Sequence, residues 1–130
     1  MDWDLLVDAA WQVSKRAYAP YSKFHVGAAV LAEDGRVFVG CNVENVSFGL
    51  TICAERVAIG SAVAAGVDAI LGLVVVADSV VPISPCGACR QVMAEFGVKR
   101  VLMVNRTDRL ECSLEVLLPR AMAGILNSAP

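Results

Sequence analysis

The chain has 130 residues, of which 57% are hydrophobic and 18% are charged, and its formal net charge is −2. This length fits one domain with its own core. The slightly negative charge and the absence of a run of Lys or Arg disfavour nucleic acid as the main partner, because that function usually requires a basic stripe. The apolar excess over an average soluble domain predicts that part of the surface is buried between subunits, in an oligomer.

The first residues of the chain and the lengths of its apolar runs indicate where in the cell we expect the protein. The first residues, MDWD, lack the basic and apolar regions of a signal peptide. The longest apolar strand-like run, residues 69–77, is much shorter than the ~20 residues that a membrane helix needs. Five cysteines are an odd number, which argues against a complete disulfide framework within one chain. We therefore expect a cytoplasmic protein with no membrane partner, in which clustered cysteines serve a metal or a reaction.

The first half of the chain predicts a helix, a hairpin and a second helix. Apolar residues recur at helical spacing over residues 3–18, with acidic residues early and basic residues late, which favours a helix there. The stretch FHVGAAVLAEDGRVFVGC has two apolar runs around Asp34-Gly35, a strong hairpin signal. A small-residue stretch from Thr51 to Ala65 predicts the next helix, which Gly66 ends.

The second half alternates strands and helices. AILGLVVVA predicts a strand that is buried on both faces. Ser84-Pro85 resembles an N-cap followed by proline, which predicts a helix from there through Phe96. KRVLMVN predicts another buried strand, and residues 113–117 predict a short helix. This order predicts one domain over residues 1–130, a three-layer α/β/α sandwich with a mixed sheet whose later strands are parallel.

Three of the cysteines lie at the predicted helix starts. Cys86 and Cys89 are three residues apart, so they share one helix face, and the helix N-terminus favours their thiolates. Cys53 falls in the first turn of the preceding helix, and helix starts in an open α/β sheet lie where ligands bind. Together the three could hold one zinc ion and leave its fourth position to water. Taken alone, the C-x-x-C pair could also be a redox pair or two core thiols, and Cys53 could be a core cysteine.

Other residues with metal-binding side chains are weaker candidates. Cys41 sits at a strand end and Cys112 in a polar loop, and we predict a structural role for both. We expect the only histidine, His25, to lie at the surface or to pack. Glu55 follows Cys53 by two residues, so the two do not share a helix face. An acidic residue near a helix start is also favourable for the helix dipole alone.

The segments TICAER and SPCGACR together resemble the zinc nucleoside deaminase signature, in which a Cys/His-x-Glu segment precedes P-C-x-x-C. The stretches YSKFHVGAAV, GCNVENVSFGLTICAERVAI and SPCGACRQVMAEF are similar to the small homotetrameric cytidine deaminases, from about Ala17 to Leu118. The resemblance implies their fold with a mixed five-stranded sheet, one zinc ion per chain, a homotetramer and a nucleoside substrate. The implied reaction is the hydrolysis of cytidine and 2′-deoxycytidine to uridine and 2′-deoxyuridine in pyrimidine salvage.

The resemblance also implies a role for each residue around the metal. Cys53, Cys86 and Cys89 would be the zinc ligands. Glu55 would carry protons between the attacking water and the base. Arg56 would offset the charge of three thiolates by a hydrogen bond to a ligand sulfur, although a solvated helix face is its alternative.

The substrate contacts are implied in the same way. Asn42 and Glu44 are two residues apart on an extended segment, so their side chains share a face, and the family uses them on the ribose 3′-hydroxyl. Phe24 would stack on the pyrimidine, although core packing is its alternative. Ala54 would offer main-chain contacts to the base, and the carbonyl of Ser84 would face the departing amino group.

Three positions depart from the family pattern. Where the family has NxENAxYG this chain has Val46 and Phe48, and where the family has LLPGAF it has LLPRAM, which ends at Met122. The resemblance places all three at a neighbouring subunit's pocket. Because Met122 stands where the family has an aromatic residue, we hypothesise that N4-modified cytidines are also accepted. The alternative is that another aromatic residue or a shifted C-terminal segment fills the space left by that aromatic, and that specificity is normal. A deaminase of a related heterocycle, of the blasticidin S type, is the alternative function, but it would be expected to lose the Asn42 and Glu44 pair.

Overall fold

The structure, a computed structural model, describes residues 1–123. Its helices and strands follow one another in the predicted order, with one additional strand. They are α1 (Trp3–Ser14), β1 (Val26–Ala32), β2 (Val37–Cys41), α2 (Ala54–Ala64), β3 (Ile70–Ala77), α3 (Gly87–Glu95), β4 (Arg100–Val104), β5 (Arg109–Ser113) and α4 (Leu114–Leu117). A short 3₁₀ turn, Phe48–Leu50, lies between β2 and α2.

The sheet has five strands in the order β2-β1-β3-β4-β5. Strand β1 pairs antiparallel with both β2 and β3, whereas β3 and β4 are parallel and β5 is antiparallel to β4. The predicted mixed sheet with parallel later strands is therefore confirmed. Because β1 lies antiparallel between its neighbours, β2, β3 and β4 all run in one direction. Their carboxyl ends, and the start of β1, share one edge of the sheet, which is where ligands bind in open α/β folds.

Helices cover both faces of the sheet, which gives the predicted three layers. On one face, α1 packs against alternate residues of the central strands. On the other face, α2 and α3 pack against the intervening residues. In β3, for example, Val74 and Val76 belong to the α1 side, and Leu73 and Val75 to the α2 and α3 side. All four are fully buried, as expected for a central strand with an almost unbroken apolar sequence.

Close packing of α2 on β2 depends on Gly40. A Cβ atom at this position would collide with the backbone of Ala58 and with the carbonyl oxygen of Ala54. Glycine therefore lets the first turns of α2 lie directly on the strand. The first turn carries Glu55 and follows Cys53, so this approach sets where both side chains lie relative to the sheet edge.

The strand β5 was not predicted from the hydrophobic pattern, and the position of Cys112 is a correction. The sequence placed Cys112 in a polar loop, but it lies in β5 opposite Val101 and is partly buried against the core. Three of the five β5 residues are exposed. An edge strand with so few buried positions lacks the apolar run by which strands are recognised.

Two helix boundaries also differ from the predictions. Helix α1 ends at Ser14 rather than at residue 18, because the chain turns so that Tyr18 can bridge to Val43. Helix α2 begins at Ala54 rather than at residue 51, because Ile52 is extended and pairs with Val43.

Within residues 1–123, no helix is both long and apolar enough to span a bilayer.

The start of α3 is a further correction. The N-cap is Cys86 rather than Ser84, and its sulfur accepts a hydrogen bond from the amide of Cys89 at 3.5 Å. The sequence signal of serine before proline was therefore two residues too early. The cap and the metal-binding side chain are the same residue.

Candidate active site

Three thiols meet between the first turns of α2 and α3. Cys53 is the N-cap of α2, Cys86 is the N-cap of α3, and Cys89 lies one turn further along α3. Their sulfur atoms all lie within 4.8 Å of one another, and the Cys53 and Cys86 sulfurs are 4.0 Å apart. Sulfurs on a tetrahedral zinc ion at ~2.3 Å would be ~3.8 Å apart, so these thiols are positioned to bind one zinc ion. Among residues 1–123, neither Cys41 nor Cys112 joins this cluster.

The thiols differ in how readily they ionise. A hydrogen bond with Cys89, supported by the guanidinium of Arg56, lowers the pKa of Cys53 to about 5 despite partial burial. The same hydrogen bond and burial raise the pKa of Cys89, which is fully buried. Between these two residues, the thiolate is therefore favoured at Cys53 and the thiol at Cys89. Zinc is bound by thiolates, so metal binding to this site releases protons.

Glu55 lies in the first turn of α2 and is only 4% exposed. Burial, with the negative charge of Cys53, raises the pKa of its carboxyl to about 7, against the opposing effects of its own backbone amide, Arg56 and Cys89. A carboxyl with a pKa near neutrality can both accept and donate a proton. Helical spacing alone did not direct Glu55 towards the thiols. In the structure Glu55 does lie beside the thiols. Cys53 is the N-cap, so the cluster lies beyond the end of α2, where side chains from any side of the first turn can reach it.

Arg56 faces the thiol cluster rather than solvent. Its Nη2 atom donates a hydrogen bond to the sulfur of Cys53 at 3.6 Å. Its Nε atom is buried and has no hydrogen-bond partner among the described residues. The positive charge of Arg56 is thus placed where a cluster of thiolates would be most negative.

Asn42 is buried at the sheet edge and holds the segment that carries Phe24. Its Nδ2 atom donates to the carbonyl of Phe24 at 2.8 Å, and its Oδ1 atom accepts from the amide of Val26 at 2.9 Å. Sequence reasoning did not predict this bracing role. The two bonds leave one amide hydrogen of Asn42 for a ligand.

Glu44 braces the same segment from its other end. Its Oε1 atom accepts hydrogen bonds from the amides of Tyr21 at 3.0 Å and Ser22 at 3.1 Å, and the hydroxyl of Ser22 bonds to Oε2. The bond from Ser22 lowers the pKa of Glu44. A carboxylate has about four acceptor sites, so this one keeps about one for a ligand. Sequence reasoning missed Ser22, for which the only signal was its small polar side chain in YSKF.

The remaining candidate substrate residues surround this edge. A cavity of about 380 Å³ is lined by Tyr21, Ser22, Glu44, Phe48 and Thr51. The side chain of Phe24 is 38% exposed and Ser84 is also exposed. Ala54 is fully buried at the start of α2. Its amide lies at the first helical position, where no intrahelical acceptor exists.

The three positions that depart from the family pattern do not converge within one chain. Val46 and Phe48 are each 75% exposed, and the ring of Phe48 lies edge-on to Tyr21 at 6.1 Å. Met122 is half-buried and lines a different groove, beside the carboxyl end of α3. Any joint effect of these residues on one pocket therefore requires a second copy of the chain.

A buried carboxyl beside three thiols at two helix starts is the arrangement of a zinc deaminase. The sequence matches the family model described as "Cytidine and deoxycytidylate deaminase zinc-binding region" over residues 2–105. It is 48% identical to a cytidine deaminase of Sporosarcina psychrophila, which covers 95% of this chain and 93% of the relative. It is 47% identical to a cytidine deaminase of Halalkalibacterium halodurans, with 95% and 96% covered.

The solved structures agree with the sequence relatives. The crystal structure of a cytidine deaminase from Burkholderia pseudomallei superposes with a TM-score of 0.87 at 48% identity, and the match covers 92% of this chain and 98% of that one. The chain therefore belongs to the cytidine and deoxycytidylate deaminase family and is a zinc-dependent enzyme.

Proposed function

We propose that the chain hydrolyses cytidine and 2′-deoxycytidine to uridine and 2′-deoxyuridine, as a step of pyrimidine salvage. The observation that carries the proposal is the buried carboxyl of Glu55 beside three thiols positioned to bind one zinc ion. Relatives at 47–48% identity that are named cytidine deaminases support this substrate class.

The metal would be held by Cys53, Cys86 and Cys89. When bound, zinc supplies a Lewis acid that lowers the pKa of a water molecule. Glu55 accepts one proton from that water and delivers it to the pyrimidine ring, then takes the second proton from the former water oxygen and passes it to the departing nitrogen. The water oxygen becomes the C4 carbonyl oxygen of uridine and the exocyclic nitrogen leaves as ammonia. A carboxyl pKa of about 7 suits transfer in both directions.

Arg56 tunes the charge of the metal site. Three thiolates and a dication leave a net charge of −1, which weakens a Lewis acid. The hydrogen bond from Arg56 to the sulfur of Cys53 draws electron density from that thiolate. Partners of this kind on ligand atoms commonly tune metal sites.

The nucleoside is held at the sheet edge by pre-positioned groups. Phe24 stacks on the pyrimidine ring, and the free amide hydrogen of Asn42 with the free acceptor site of Glu44 binds the 3′-hydroxyl. Both polar side chains are already fixed by the segment that they brace. Such bracing lowers the cost of ordering them on binding. The amide of Ala54 contacts the base, and the carbonyl of Ser84 accepts from the departing amino group.

Turnover of cytidine, followed by the fall in ultraviolet absorbance, tests this function against its alternative. We expect cytidine and 2′-deoxycytidine to be deaminated and blasticidin S to be left unchanged. A blasticidin-type activity is not favoured, because the Asn42 and Glu44 pair is retained and the relatives are named cytidine deaminases. Deamination of blasticidin S without turnover of either nucleoside would reject the proposed substrate class.

We infer that residues 1–130 form a single catalytic domain that assembles as a cytoplasmic homotetramer, with each active site completed by neighbouring subunits. An exposed apolar surface after β2 supports this inference: Val46, Phe48 and Leu50 are 65–75% exposed. Such surfaces commonly mark interfaces. We expect light scattering at assay concentration to give four chains per particle.

A charge on this surface should weaken assembly. Phe48→Asp is expected to shift the protein towards smaller and less active species, because it would bury a carboxylate between subunits. Leu5→Asp is the matched control, since Leu5 is also exposed, but on α1 at the opposite layer. A fully active monomer in the unmodified protein would contradict the inferred assembly.

Met122 should widen the range of accepted substrates. Methionine is unbranched and flexible, so it can move aside for a group on N4, whereas an aromatic side chain would hold its shape. We expect Met122→Phe to lower kcat/KM for N4-methylcytidine relative to cytidine. Val116→Phe is the control, because it adds the same ring at an exposed site on α4. An unchanged ratio in Met122→Phe would mean that Met122 does not shape the pocket.

A further inference from the structure

Arg90 links two segments of the chain that meet beside the thiol cluster. It follows Cys89 in α3 and is half-buried. Its Nε atom donates a hydrogen bond to the carbonyl of Pro85 at 2.8 Å, and its Nη1 atom donates to the carbonyl of Leu117 at 2.8 Å. One guanidinium therefore joins the segment before the N-cap of α3 to the end of α4.

The bond to Pro85 fixes the peptide that leads into the metal site. Pro85 is fully buried, and its carbonyl precedes the first helical hydrogen bond of α3, which runs from the amide of Arg90 to the carbonyl of Cys86 at 3.0 Å. Without Arg90 this carbonyl would lose its charged donor in a buried setting, which is costly. The peptide of Pro85 lies between the carbonyl of Ser84 and the thiol of Cys86, so holding it orients both.

The bond to Leu117 fixes the chain after α4. The carbonyls at the end of a helix have no partner within the helix, and Arg90 supplies one. Its neighbour Gln91 adds a second bond, from Nε2 to the carbonyl of Ala121 at 3.2 Å. The segment thus held leads directly to Met122. Arg90 contacts both segments, whereas Gln91 contacts only the second.

We propose that Arg90 is a positioning residue that holds the Ser84–Cys86 segment and the segment after α4 in register with each other. The proposal rests on the proposed function, in which the first segment supplies a zinc ligand and a carbonyl for the departing amino group. The planar guanidinium is suited to this because its donors diverge and reach two carbonyls at once. Lysine has a compact ammonium on one stem and can hold only one of them well.

Release of zinc from the loaded protein to a chromogenic chelator tests the proposal without substrate. We expect Arg90→Met to release zinc at least about tenfold faster, in line with the loss seen when groups supporting metal ligands are removed. Arg90→Lys should fall between Arg90→Met and the unmodified protein. Gln91→Ala should release zinc at the normal rate. Arg100→Met is the control, because Arg100 pairs with Glu111 at the surface.

Steady-state kinetics, with rates expressed per bound zinc ion, give a second measurement. They distinguish positioning from a merely structural role, because the proposal predicts different effects of Arg90 and Gln91 on kcat and KM. Arg90→Met should lower kcat, because the carbonyl of Ser84 loses its orientation, and Arg90→Lys should restore part of it. Gln91→Ala should change KM with kcat retained. Normal zinc release and normal kcat in Arg90→Met would overturn the proposal.

If Arg90→Met does not fold, the test rests on Arg90→Lys alone. A normal rate of zinc release and a normal kcat in that variant would then overturn the proposal. Zinc release needs no nucleoside. An unmodified protein that binds zinc but does not turn over cytidine would therefore reject the proposed function and leave the metal-release result standing.

Discussion

Glu55→Gln is expected to keep the fold and the zinc ion but to lose about 10²–10⁴-fold or more in kcat, the range that general acid–base catalysis typically contributes. The amide of glutamine fills the same buried space but cannot accept the proton of the attacking water. Because the proposed mechanism gives this one carboxyl several proton transfers, the loss should lie at or above the upper part of that range. The measurement is kcat for cytidine together with zinc content.

Glu95→Gln is the matched control for this change. Glu95 is exposed at the end of α3, away from the thiol cluster, and its variant should keep normal turnover. A Glu55→Gln protein with a large fraction of normal kcat would show that another group moves the proton.

Replacing any one of the three clustered thiols should abolish zinc binding and turnover together. Zinc sites of this kind use three protein ligands and water, so Cys53→Ala, Cys86→Ala and Cys89→Ala each leave two ligands. We expect about one zinc ion per chain in the unmodified protein and activity near background in each variant. Zinc content and cytidine turnover would be measured on the same samples.

Cys41→Ala is the control for thiol loss. Cys41 is half-buried at the end of β2 and lies outside the cluster, so its variant should keep both zinc and activity. A clustered-thiol variant that keeps normal zinc content would contradict the assignment of that residue as a ligand.

Hydrophobic periodicity predicted the helices, the hairpin and the two central strands, because each buries a continuous face. It could not predict β5, whose residues are mostly exposed at the sheet edge. The sequence signals also placed the starts of α2 and α3 two to three residues early. Those starts depend on contacts that the local pattern does not contain, such as the bridge between Ile52 and Val43.

The spacing of the cysteines predicted that the three thiols lie together, but it did not predict that Glu55 lies beside them. Only the resemblance to zinc deaminases connected Glu55 with the thiols. Its direction depends on Cys53 being the N-cap of α2 and on the close approach of α2 to β2 at Gly40. The bracing by Asn42 and the bridge by Arg90 were also beyond sequence reasoning. In both cases a side chain bonds to backbone atoms of a distant segment. Nearly every residue type has these atoms, so the sequence does not reveal which residue is the partner.

Zinc dependence of the deamination can be tested by stripping the protein of zinc with a chelator and titrating the metal back while cytidine turnover is followed by ultraviolet absorbance. We expect negligible turnover in the stripped protein and a rise in proportion to bound zinc, which reaches its plateau at about one ion per chain. Full turnover in the zinc-free protein would contradict this expectation, as would a fully loaded protein that deaminates neither cytidine nor 2′-deoxycytidine.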